Sequence, residues 1–427
     1  MDRIAFDPAD PKGALAQLPQ RAAVFALYGA EAHAEPYIGR TPNLRGRLER
    51  LLQPSPKHPR RLQLAGRVRR IEWRVTGSDF ESLLGQFSLL EQVYGAKVLE
   101  RMHLGAPAFV RYLGSNPYPR ITVTNRPSQR EADWAYGPFA SRAAAERFSE
   151  EALKLFLLRR CTDDLNPDPS FPGCVYSEMK MCLAPCYKGC TDERYAEEST
   201  AVERFLATRG ESRLVTLRTQ RDEASGNLEF ETAAALHAQV QKVEGVRALA
   251  PELVRPLSRL RSVILQASAQ ADEVMIFLFE GGRLRGPAAF STLGMRIQNE
   301  QSGSSSLFAQ PMALEPVEET GIRDQGLGNR DDQGLAKPGA GARKTMRTML
   351  EARLEDVLAS LAEVKSAPSA TIRQGHLALL KRWYYRPEAK RVGEVFFPDP
   401  DGGWPVKALL RGIGRIAAKS LTTEPAS

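Results

Sequence analysis

The stretch "PGCVYSEMKMCLAPC", residues 172–186, carries three of the five cysteines of this 427-residue chain. All five fall within residues 161–190, in the pattern Cys161-x12-Cys174-x7-Cys182-x3-Cys186, with Cys190 a further x3 on. Four thiolates in one short, loop-rich segment close a tetrahedral sulfur site for zinc or ligate an iron–sulfur cluster. The spacing does not separate these two, although the paired CxxC knuckles usual for zinc are missing. The alternative interpretation is a group of unliganded structural cysteines.

The bulk composition is that of an ordinary globular protein with two to four domains. No apolar run approaches the roughly 18 residues of a membrane span, and the N-terminus shows no apolar signal segment. These features predict a cytoplasmic protein. A reducing compartment in turn argues against disulfides among the clustered cysteines.

Positive charge is concentrated near the N-terminus. The chain has a net charge of +8, and residues 40–74 alone hold eleven Lys/Arg against two Glu. The block includes the basic half of "EPYIGRTPNLRGRLERLL", residues 35–52. Such a block favours a polyanionic partner. The alternative is a well-solvated basic surface.

Apolar periodicity predicts a small α/β unit over the first hundred residues, in the order ββαβα. Two short strands are expected within residues 21–39, and a helix over residues 43–52 with leucines at i, i+4 and i+7. The alternating "RVRRIEWRVTG", residues 67–77, predicts the third strand. A long helix follows, for which Asp79 is the candidate N-cap.

The remainder of the chain alternates between sheet and helix signals. Residues 108–126 predict an extended pair, Ser141 is a candidate N-cap for the next helix, and residues 192–249 are charged and mostly helical. Apolar runs between residues 261 and 286 predict a β-hairpin or small sheet. The polar, Gly-rich residues 299–342 predict a disordered linker.

A set of motifs gives the chain a specific resemblance. "YGPF", "LRRC", the cysteine stretch and "NLEFETAAALHAQV" follow one another between residues 136 and 240. In this order they resemble the UvrC family of excision-repair nucleases, and the resemblance covers about residues 20–250. It implies a GIY-YIG nuclease domain, a cysteine segment and a helical UVR hairpin that binds the helicase subunit UvrB. It also implies a [4Fe-4S] cluster, with zinc as the alternative, held by Cys161, Cys174, Cys182 and Cys186; Cys190 lies outside the family pattern.

The resemblance implies site residues in the first unit. Tyr37 matches the second tyrosine motif, and Arg47 matches the catalytic arginine, which would clamp the phosphate by bidentate hydrogen bonds. Activity would also need a divalent metal such as Mg²⁺. The DNA-binding residues implied around them are Arg40, Asn43, Arg45 and Arg50.

Two departures affect the predicted catalysis. Phe25 stands where the family has its first catalytic tyrosine, and it has no hydroxyl to exchange a proton. Gln86 stands where the family has its metal-binding glutamate, and an amide oxygen is a poorer ligand for a hard dication than a carboxylate. Helix geometry makes Glu81, Glu91 and Asp79 poor substitutes. A DNA-binding remnant of the nuclease is therefore favoured over an active one.

The UVR-like hairpin is predicted around Asn227, with Leu228 and Phe230 as apolar anchors and Glu231 leading into the second helix. In the alternative interpretation this is an amphipathic hairpin packed on its own domain. The family's second nuclease unit, with an Asp/Asp/His metal site, has no recognised counterpart, so a shortened and divergent member is expected.

The sequence thus predicts a multidomain α+β protein that binds DNA, and in its active form incises it, in nucleotide excision repair. The alternatives are an inactive DNA-binding or adaptor protein and a protein-interaction module acting through the hairpin. The expected segments, in chain order, are a GIY-YIG-like domain 1–102, a connecting region 103–160, a cysteine segment 161–190, a helical region with the hairpin 191–255, a small β region 256–298, a linker 299–342 and a C-terminal helical region 343–427.

Overall fold

The structure is a computed structural model that describes residues 1–31, 33–53, 64–293, 295–298, 313–316, 340–363 and 367–423. Within these residues the strands form three four-stranded sheets and one two-stranded sheet, and helices pack between and around them. The predicted mixed α+β class is confirmed.

The N-terminal unit is an antiparallel sheet with strand order β1-β4-β2-β3 and two main helices. Its elements are β1 (Asp2–Ala5), α1 (Pro11–Ala16), β2 (Ala23–Gly29), β3 (Tyr37–Thr41), α2 (Leu44–Leu52), β4 (Val68–Val75) and α3 (Asp79–Tyr94). The ββαβα order predicted from periodicity is present in β2 to α3. The short elements β1 and α1 precede it.

Polar side chains set where the two main helices begin. The Asn43 side chain accepts a hydrogen bond from the Gly46 N–H at 2.9 Å and so caps α2. Ser78 does the same for α3, accepting from the Glu81 N–H at 3.1 Å. The prediction that Asp79 is this cap was wrong by one position. Asp79 is the first helical residue, where its negative charge complements the helix dipole.

The two helices lie on opposite faces of this sheet. Phe25 pairs with Gly39, and the core on their face includes the buried leucines of α2. Val24 is one position on, so its side chain points to the other face. There α3 makes its close approach, because a Cβ added to Gly85 would lie 3.3 Å from Val24 Cγ1. The apolar face of α3 then continues into a second core.

The middle of the chain combines a second antiparallel sheet, with order β6-β5-β7-β8, and a set of helices. Its elements are α4 (Val98–Arg101), β5 (Ala108–Tyr112), β6 (Ile121–Thr124), β7 (Ala135–Phe139), α5 (Arg142–Leu153), α6 (Val175–Glu178), α7 (Asp192–Ala207), α8 (Glu211–Gly226), α9 (Phe230–Ala248) and β8 (Arg255–Pro256). The predicted extended pair is present as β5 and β6. Ser141 caps α5, as predicted, by accepting from the Ala144 N–H at 3.1 Å.

The last part of the chain returns to sheet and helix. Its elements are β9 (Ser262–Ala267), β10 (Glu273–Glu280), β11 (Arg283–Ser291), β12 (Met295–Gln298), β13 (Ala313–Pro316), α10 (Ala340–Ala362), α11 (Ala370–Tyr384), β14 (Glu394–Phe396) and α12 (Val406–Thr423). Strand β14 pairs with β9 and completes the sheet β11-β10-β9-β14. Residues of α10 and α12 share one apolar core with this sheet. The β region and the C-terminal helices, predicted as separate segments, therefore pack together.

The predicted linker over residues 299–342 lies mostly outside the described residues. Within it, β13 pairs antiparallel with β12, and α10 begins at Ala340, so a part of the linker has regular structure. Among the described residues, no helix combines the length and the apolar content that crossing a membrane requires.

Candidate functional site

The N-terminal unit brings two of the predicted site residues into contact. Arg47, on the second turn of α2, donates a hydrogen bond from Nη2 to the Tyr37 hydroxyl at 3.4 Å. Tyr37 begins β3, and both side chains are half-buried. The cap at Asn43 fixes the start of α2 and therefore the position of Arg47 one turn later. This places a guanidinium and a phenol side by side at the surface of the sheet.

Phe25 lies next to this pair but inside the core. Its ring centroid is 6.1 Å from that of Tyr37, and the residue is 1% exposed. A Cβ added to Gly39 would lie 2.8 Å from Phe25 Cζ, so the glycine makes room for the ring. The aromatic ring is thus retained as packing, and it brings no polar atom to Tyr37 and Arg47.

Gln86 lies on the helix that packs on the other face of the sheet. It lies on α3, one residue after Gly85, and α3 approaches the sheet from the face opposite to Phe25. Ile38 packs on the core of α3, whereas its neighbour Tyr37 packs on the core of α2. In the described part of the chain, no hydrogen bond links the half-buried Gln86 to the pair.

Two of the three carboxylates weighed as substitutes for the glutamate, Glu81 and Asp79, are occupied. Glu81 is 4% exposed and accepts the Gly77 N–H at 2.9 Å; burial raises the pKa of Glu81 despite this hydrogen bond and the charge of Arg74. Asp79 is held by Arg40 and by Arg386, the latter at 2.6 Å. Neither carboxylate is free to take the place of the metal-binding glutamate.

The four residues predicted to bind DNA already have contacts within the chain. Asn43 caps α2, and Arg40 pairs with Asp79. Arg45 donates to the carbonyls of Leu18 and Ala16 at 2.7 and 2.8 Å. Arg50 is exposed and donates only to a carbonyl of its own helix, Gly46 at 2.9 Å. Arg50 is therefore the member of this set with the most accessible charge.

The cysteine segment has little regular structure. Cys174 precedes the single-turn helix α6, Cys182 follows it in irregular chain, and Cys186 lies in a single 3-10 turn, Pro185–Tyr187. Lys180, Ala184 and Lys188 adopt left-handed backbone conformations, with φ of 52°, 58° and 56°. Such conformations cost about 1 kcal/mol or more for residues with a side chain. The local sequence alone therefore does not favour this path of the chain.

The four predicted ligands are close enough to influence one another. Burial raises the pKa of the Cys182 thiol to about 11, and repulsion from Cys161, Cys174 and Cys186 adds to the effect. Burial also raises the pKa of Cys186, again with contributions from Cys174 and Cys161. Four thiolates in this arrangement need a cation to stay deprotonated.

The polar surroundings of the thiols fit a metal–sulfur centre. The Ala184 N–H donates to Cys182 Sγ at 3.3 Å, and the Arg159 guanidinium donates to Cys161 Sγ at 3.6 Å. Hydrogen bonds to sulfur of this kind are one of the means by which proteins tune iron–sulfur clusters. Among the described residues, no three metal-binding side chains are grouped closely enough to hold a single ion.

Sequence reasoning missed the residues that support the cysteines. Tyr195 of α7 accepts a hydrogen bond from the Arg159 N–H at 3.2 Å and donates to the Pro119 carbonyl at 2.8 Å. Its ring packs edge-to-face on Tyr118, with centroids 5.5 Å apart. The one local signal was the arginine pair directly before Cys161. Tyr118 and Tyr195 come from distant segments, and nothing in the sequence around them indicates this role.

The predicted hairpin is present as α8 and α9. Its turn contains Leu228, with φ of 62°, and Phe230 begins α9. Leu228 and Phe230 are 73% and 65% exposed, and Glu231 beside them is also exposed. The other end of the hairpin, including Val243, is packed in the core of the middle unit. The hairpin thus presents its apolar tip to solvent.

Comparison with known proteins gives a consistent result. Residues 109–205 match the family model "UvrC/Cho excinuclease, middle domain". The chain is 30% identical over 239 residues to UvrABC system protein C of Alcanivorax borkumensis, covering 56% of this chain and 39% of the relative. With the same-named protein of Ruminiclostridium cellulolyticum it shares 27% identity over 297 residues, covering 68% of this chain and 47% of the relative. No solved structure gives a significant match.

The matches cover only part of each relative, but they include the cysteine segment. The chain spans less than half the length of either relative. The match to the middle-domain model nevertheless includes all five cysteines and the elements around them, from β5 to α7. The chain is therefore similar to UvrC proteins, most specifically over the middle domain, residues 109–205.

Proposed function

We propose that the protein binds DNA as a component of nucleotide excision repair, through a GIY-YIG-type N-terminal domain over about residues 1–102. The observation that carries the proposal is the contact between Arg47 and Tyr37 in a chain that is similar to UvrC proteins. Arg47 is half-buried, and its guanidinium makes no salt bridge with a carboxylate in the described part of the chain. A guanidinium in this state suits a phosphate oxygen.

Binding without incision is the form of this function that the geometry favours. A hydrolytic site needs a carboxylate for a divalent metal such as Mg²⁺, and Gln86 supplies only an amide. Phe25 has no hydroxyl, and Asp79 and Glu81 are held by other groups. The positive charge of the unit remains, whereas the metal ligands of the nuclease do not.

Fluorescence anisotropy with a labelled DNA duplex tests the binding. Arg47→Ala should weaken binding about tenfold and reduce the slope of log K against log salt by about one, since one phosphate contact is lost. Arg142→Ala, an exposed arginine of α5, is the control that makes the same change in net charge. Equal effects from the two variants would show that Arg47 contributes only general charge, and the proposal would be wrong.

A nicking assay on damaged duplex DNA with Mg²⁺ tests the absence of incision. The wild-type protein and Gln86→Glu should both leave the duplex intact, because the variant restores the carboxylate but not the missing hydroxyl at position 25. Metal-dependent nicking by the wild type that Arg47→Ala abolishes would establish the active nuclease instead.

For the cysteine segment we propose a [4Fe-4S] cluster held by Cys161, Cys174, Cys182 and Cys186, with zinc as the alternative. When bound, such a cluster supplies a structural cross-link and a one-electron redox centre. The hydrogen bonds that the Ala184 N–H and the Arg159 guanidinium donate to Cys182 and Cys161 support a metal–sulfur centre here. Anaerobically purified protein should be brown with visible absorption and contain about four iron atoms per chain. Colourless protein with one zinc per chain would overturn the assignment.

We also propose that the hairpin of α8 and α9 is a UVR-like motif that binds a UvrB-like helicase subunit. Leu228 and Phe230 at the tip are exposed apolar side chains on a hairpin whose other end is packed in the core, which is typical of interface anchors. Glu231 beside them supplies a charge that can orient the partner. This partner would bring the protein to its DNA substrate.

Calorimetric titration with a purified UvrB-like subunit tests the hairpin. Leu228→Ala and Phe230→Ala should each cost about 2 kcal/mol of binding free energy without changing the thermal stability. Val215→Ala is the matched control, because Val215 is also apolar and 55% exposed but lies within α8, away from the tip. Loss of binding by Val215→Ala alone, or no loss by either tip variant, would contradict the proposal.

A further inference from the structure

Arg159 is the most deeply buried charged side chain near the cysteines. It is 1% exposed and donates to backbone carbonyls of Tyr118 and Asp163, each at 2.9 Å, and to Cys161 Sγ at 3.6 Å. Its Nη2 atom is buried and has no hydrogen-bond partner among the described residues. No carboxylate pairs with it in that part of the chain, and Asp163 contributes only its carbonyl.

A buried guanidinium without a counter-charge is strongly unfavourable. An unpaired ionised group in the interior costs several kcal/mol after relaxation, and arginine cannot lose its proton to avoid this cost. The acceptors seen around Arg159 are neutral carbonyls and one thiol sulfur. Among these contacting atoms, the Cys161 sulfur is the one that can carry a negative charge, as a thiolate.

The cysteine sulfurs, when deprotonated, are negative charges that need a positive partner. Cys161, Cys174 and Cys186 each add to the repulsion at the half-buried Cys182. Iron or zinc bound to four thiolates remains negatively charged overall, so the metal only partly compensates for the thiolates. A second positive group is needed to bury such a centre.

We propose that Arg159 is the counter-charge and positioning residue of the cysteine centre, with its guanidinium donating to sulfur atoms of a bound, negatively charged [4Fe-4S] cluster. This rests on the proposed cluster. Arginine suits the role because its planar fork serves the carbonyls of Tyr118 and Asp163 while leaving N–H groups for sulfur. The two carbonyls hold the guanidinium against Cys161, and the charge stabilises the cluster most in its reduced, more negative state.

The test compares three variants as purified full-length protein. Arg159→Met removes the charge, and Arg159→Lys keeps it without the fork. Tyr195→Phe is the structural control. The Tyr195 hydroxyl accepts from the Arg159 backbone N–H and donates to the Pro119 carbonyl, so it supports the same part of the chain but carries no charge. The readouts are iron and zinc per chain, the rate of metal loss to a chelator, the midpoint potential of the visible absorption and the melting temperature.

Arg159→Met should lose metal about tenfold faster than the wild type, as expected for loss of an outer-shell partner. Its midpoint potential should move to more negative values by about 59 mV, which corresponds to a tenfold change in the equilibrium constant for a one-electron reduction. Arg159→Lys should have a midpoint potential close to that of the wild type, because the charge remains, but it should melt at a lower temperature. Tyr195→Phe should also melt lower, yet keep the wild-type potential.

Failure of the inference can be told apart from failure of the proposed cluster. Wild-type protein that holds neither iron nor zinc overturns both. Wild-type protein that holds iron, with Arg159→Met matching Tyr195→Phe in potential and metal loss, overturns the inference alone. If the wild type holds zinc, the chelator rate decides: faster loss from Arg159→Met supports the counter-charge, and an unchanged rate overturns it.

A measurement on the unmutated protein covers the case in which Arg159→Met does not fold. Wild-type protein labelled with ¹⁵N-arginine is reduced and examined by pulsed electron paramagnetic resonance. A guanidinium that donates to a cluster sulfur should give a weak ¹⁵N coupling that is missing from unlabelled protein. Absence of this coupling in protein with a full iron complement would overturn the inference.

Discussion

The N-terminal site and the cysteine segment hold their functional side chains in opposite ways. Tyr37 and Arg47 lie on a strand and a helix whose positions follow from register and from the cap at Asn43. The cysteines lie in a segment of short turns and irregular chain with three left-handed residues, supported by Arg159 and by residues far away in the sequence. Regular elements position side chains through local rules. The cysteine segment depends on long-range contacts, such as those of Arg159 and Tyr195.

This comparison predicts its largest effect in the cysteine segment. Cys182→Ser should release the metal and lower the free energy of unfolding by more than about 4 kcal/mol, because metal binding free energy is also folding free energy. Metal analysis and calorimetry measure both. Cys190→Ser is the matched control and should keep the metal. Equal losses from the two variants, or a fully stable Cys182→Ser protein, would break the comparison.

The next effect lies in the N-terminal sheet and should stay local. Gly39→Ala places a Cβ 2.8 Å from Phe25 Cζ and should cost about 2 kcal/mol by overpacking. Phe25→Leu in the same chain should recover about 1 kcal/mol of this cost, measured as a double-mutant cycle in urea. Gly66→Ala is the control, because nothing lies within 4 Å of its added Cβ. Strictly additive costs of the two changes would show that the ring is not the obstacle.

A smaller effect is expected at the start of α2. Asn43→Ala removes the cap and should cost about 1 kcal/mol, whereas Asn43→Ser keeps a capping oxygen and should cost little. Thermal unfolding measures the stability, and anisotropy with duplex DNA measures the binding. If Asn43→Ser keeps the stability but weakens DNA binding, the amide contacts DNA directly. If DNA binding is weakened in Asn43→Ala but kept in Asn43→Ser, Asn43 acts by positioning Arg47.

The smallest effect concerns Asp79, which links β3 to the C-terminal part of the chain through Arg40 and Arg386. Burial raises the pKa of Asp79, but the hydrogen bond from Arg386 and the charge of Arg40 outweigh it, so the pKa lies below its ordinary value. The carboxylate thus stabilises the fold above its unfolded pKa of about 3.9 and loses this effect as the pH falls through its lower folded pKa.

At 44% exposure, Asp79 should contribute less than about 1 kcal/mol, because solvent screens the two ion pairs. Thermal unfolding of wild type and Asp79→Asn should therefore differ slightly at pH 7. The difference should shrink between about pH 5 and pH 3 and in high salt. A difference that does not depend on pH would mean that the amide disturbs packing and that the charge is unimportant.

Periodicity predicted the elements of the N-terminal unit well, because each has an apolar face that recurs at a fixed spacing. It placed the α3 cap one residue late, since Ser78 and Asp79 are both good capping residues and only hydrogen-bond geometry distinguishes them. It also predicted residues 256–298 and residues 343–427 as separate segments, whereas in the structure they share one sheet and one core. Strand β14 is three residues long, too short to signal that it completes the sheet beside β9.

The sequence by itself determined the family motifs, the hairpin with its two apolar tip residues, and the identity of Phe25 and Gln86 at the expected positions of a tyrosine and a glutamate. These depend on residue type and local spacing, which are read directly from the chain. Only the tertiary structure decided that α3 lies across the sheet from Tyr37, and that Arg159 is buried against Cys161. Both follow from packing between residues distant in sequence, where burial and charge, rather than local propensity, select the arrangement.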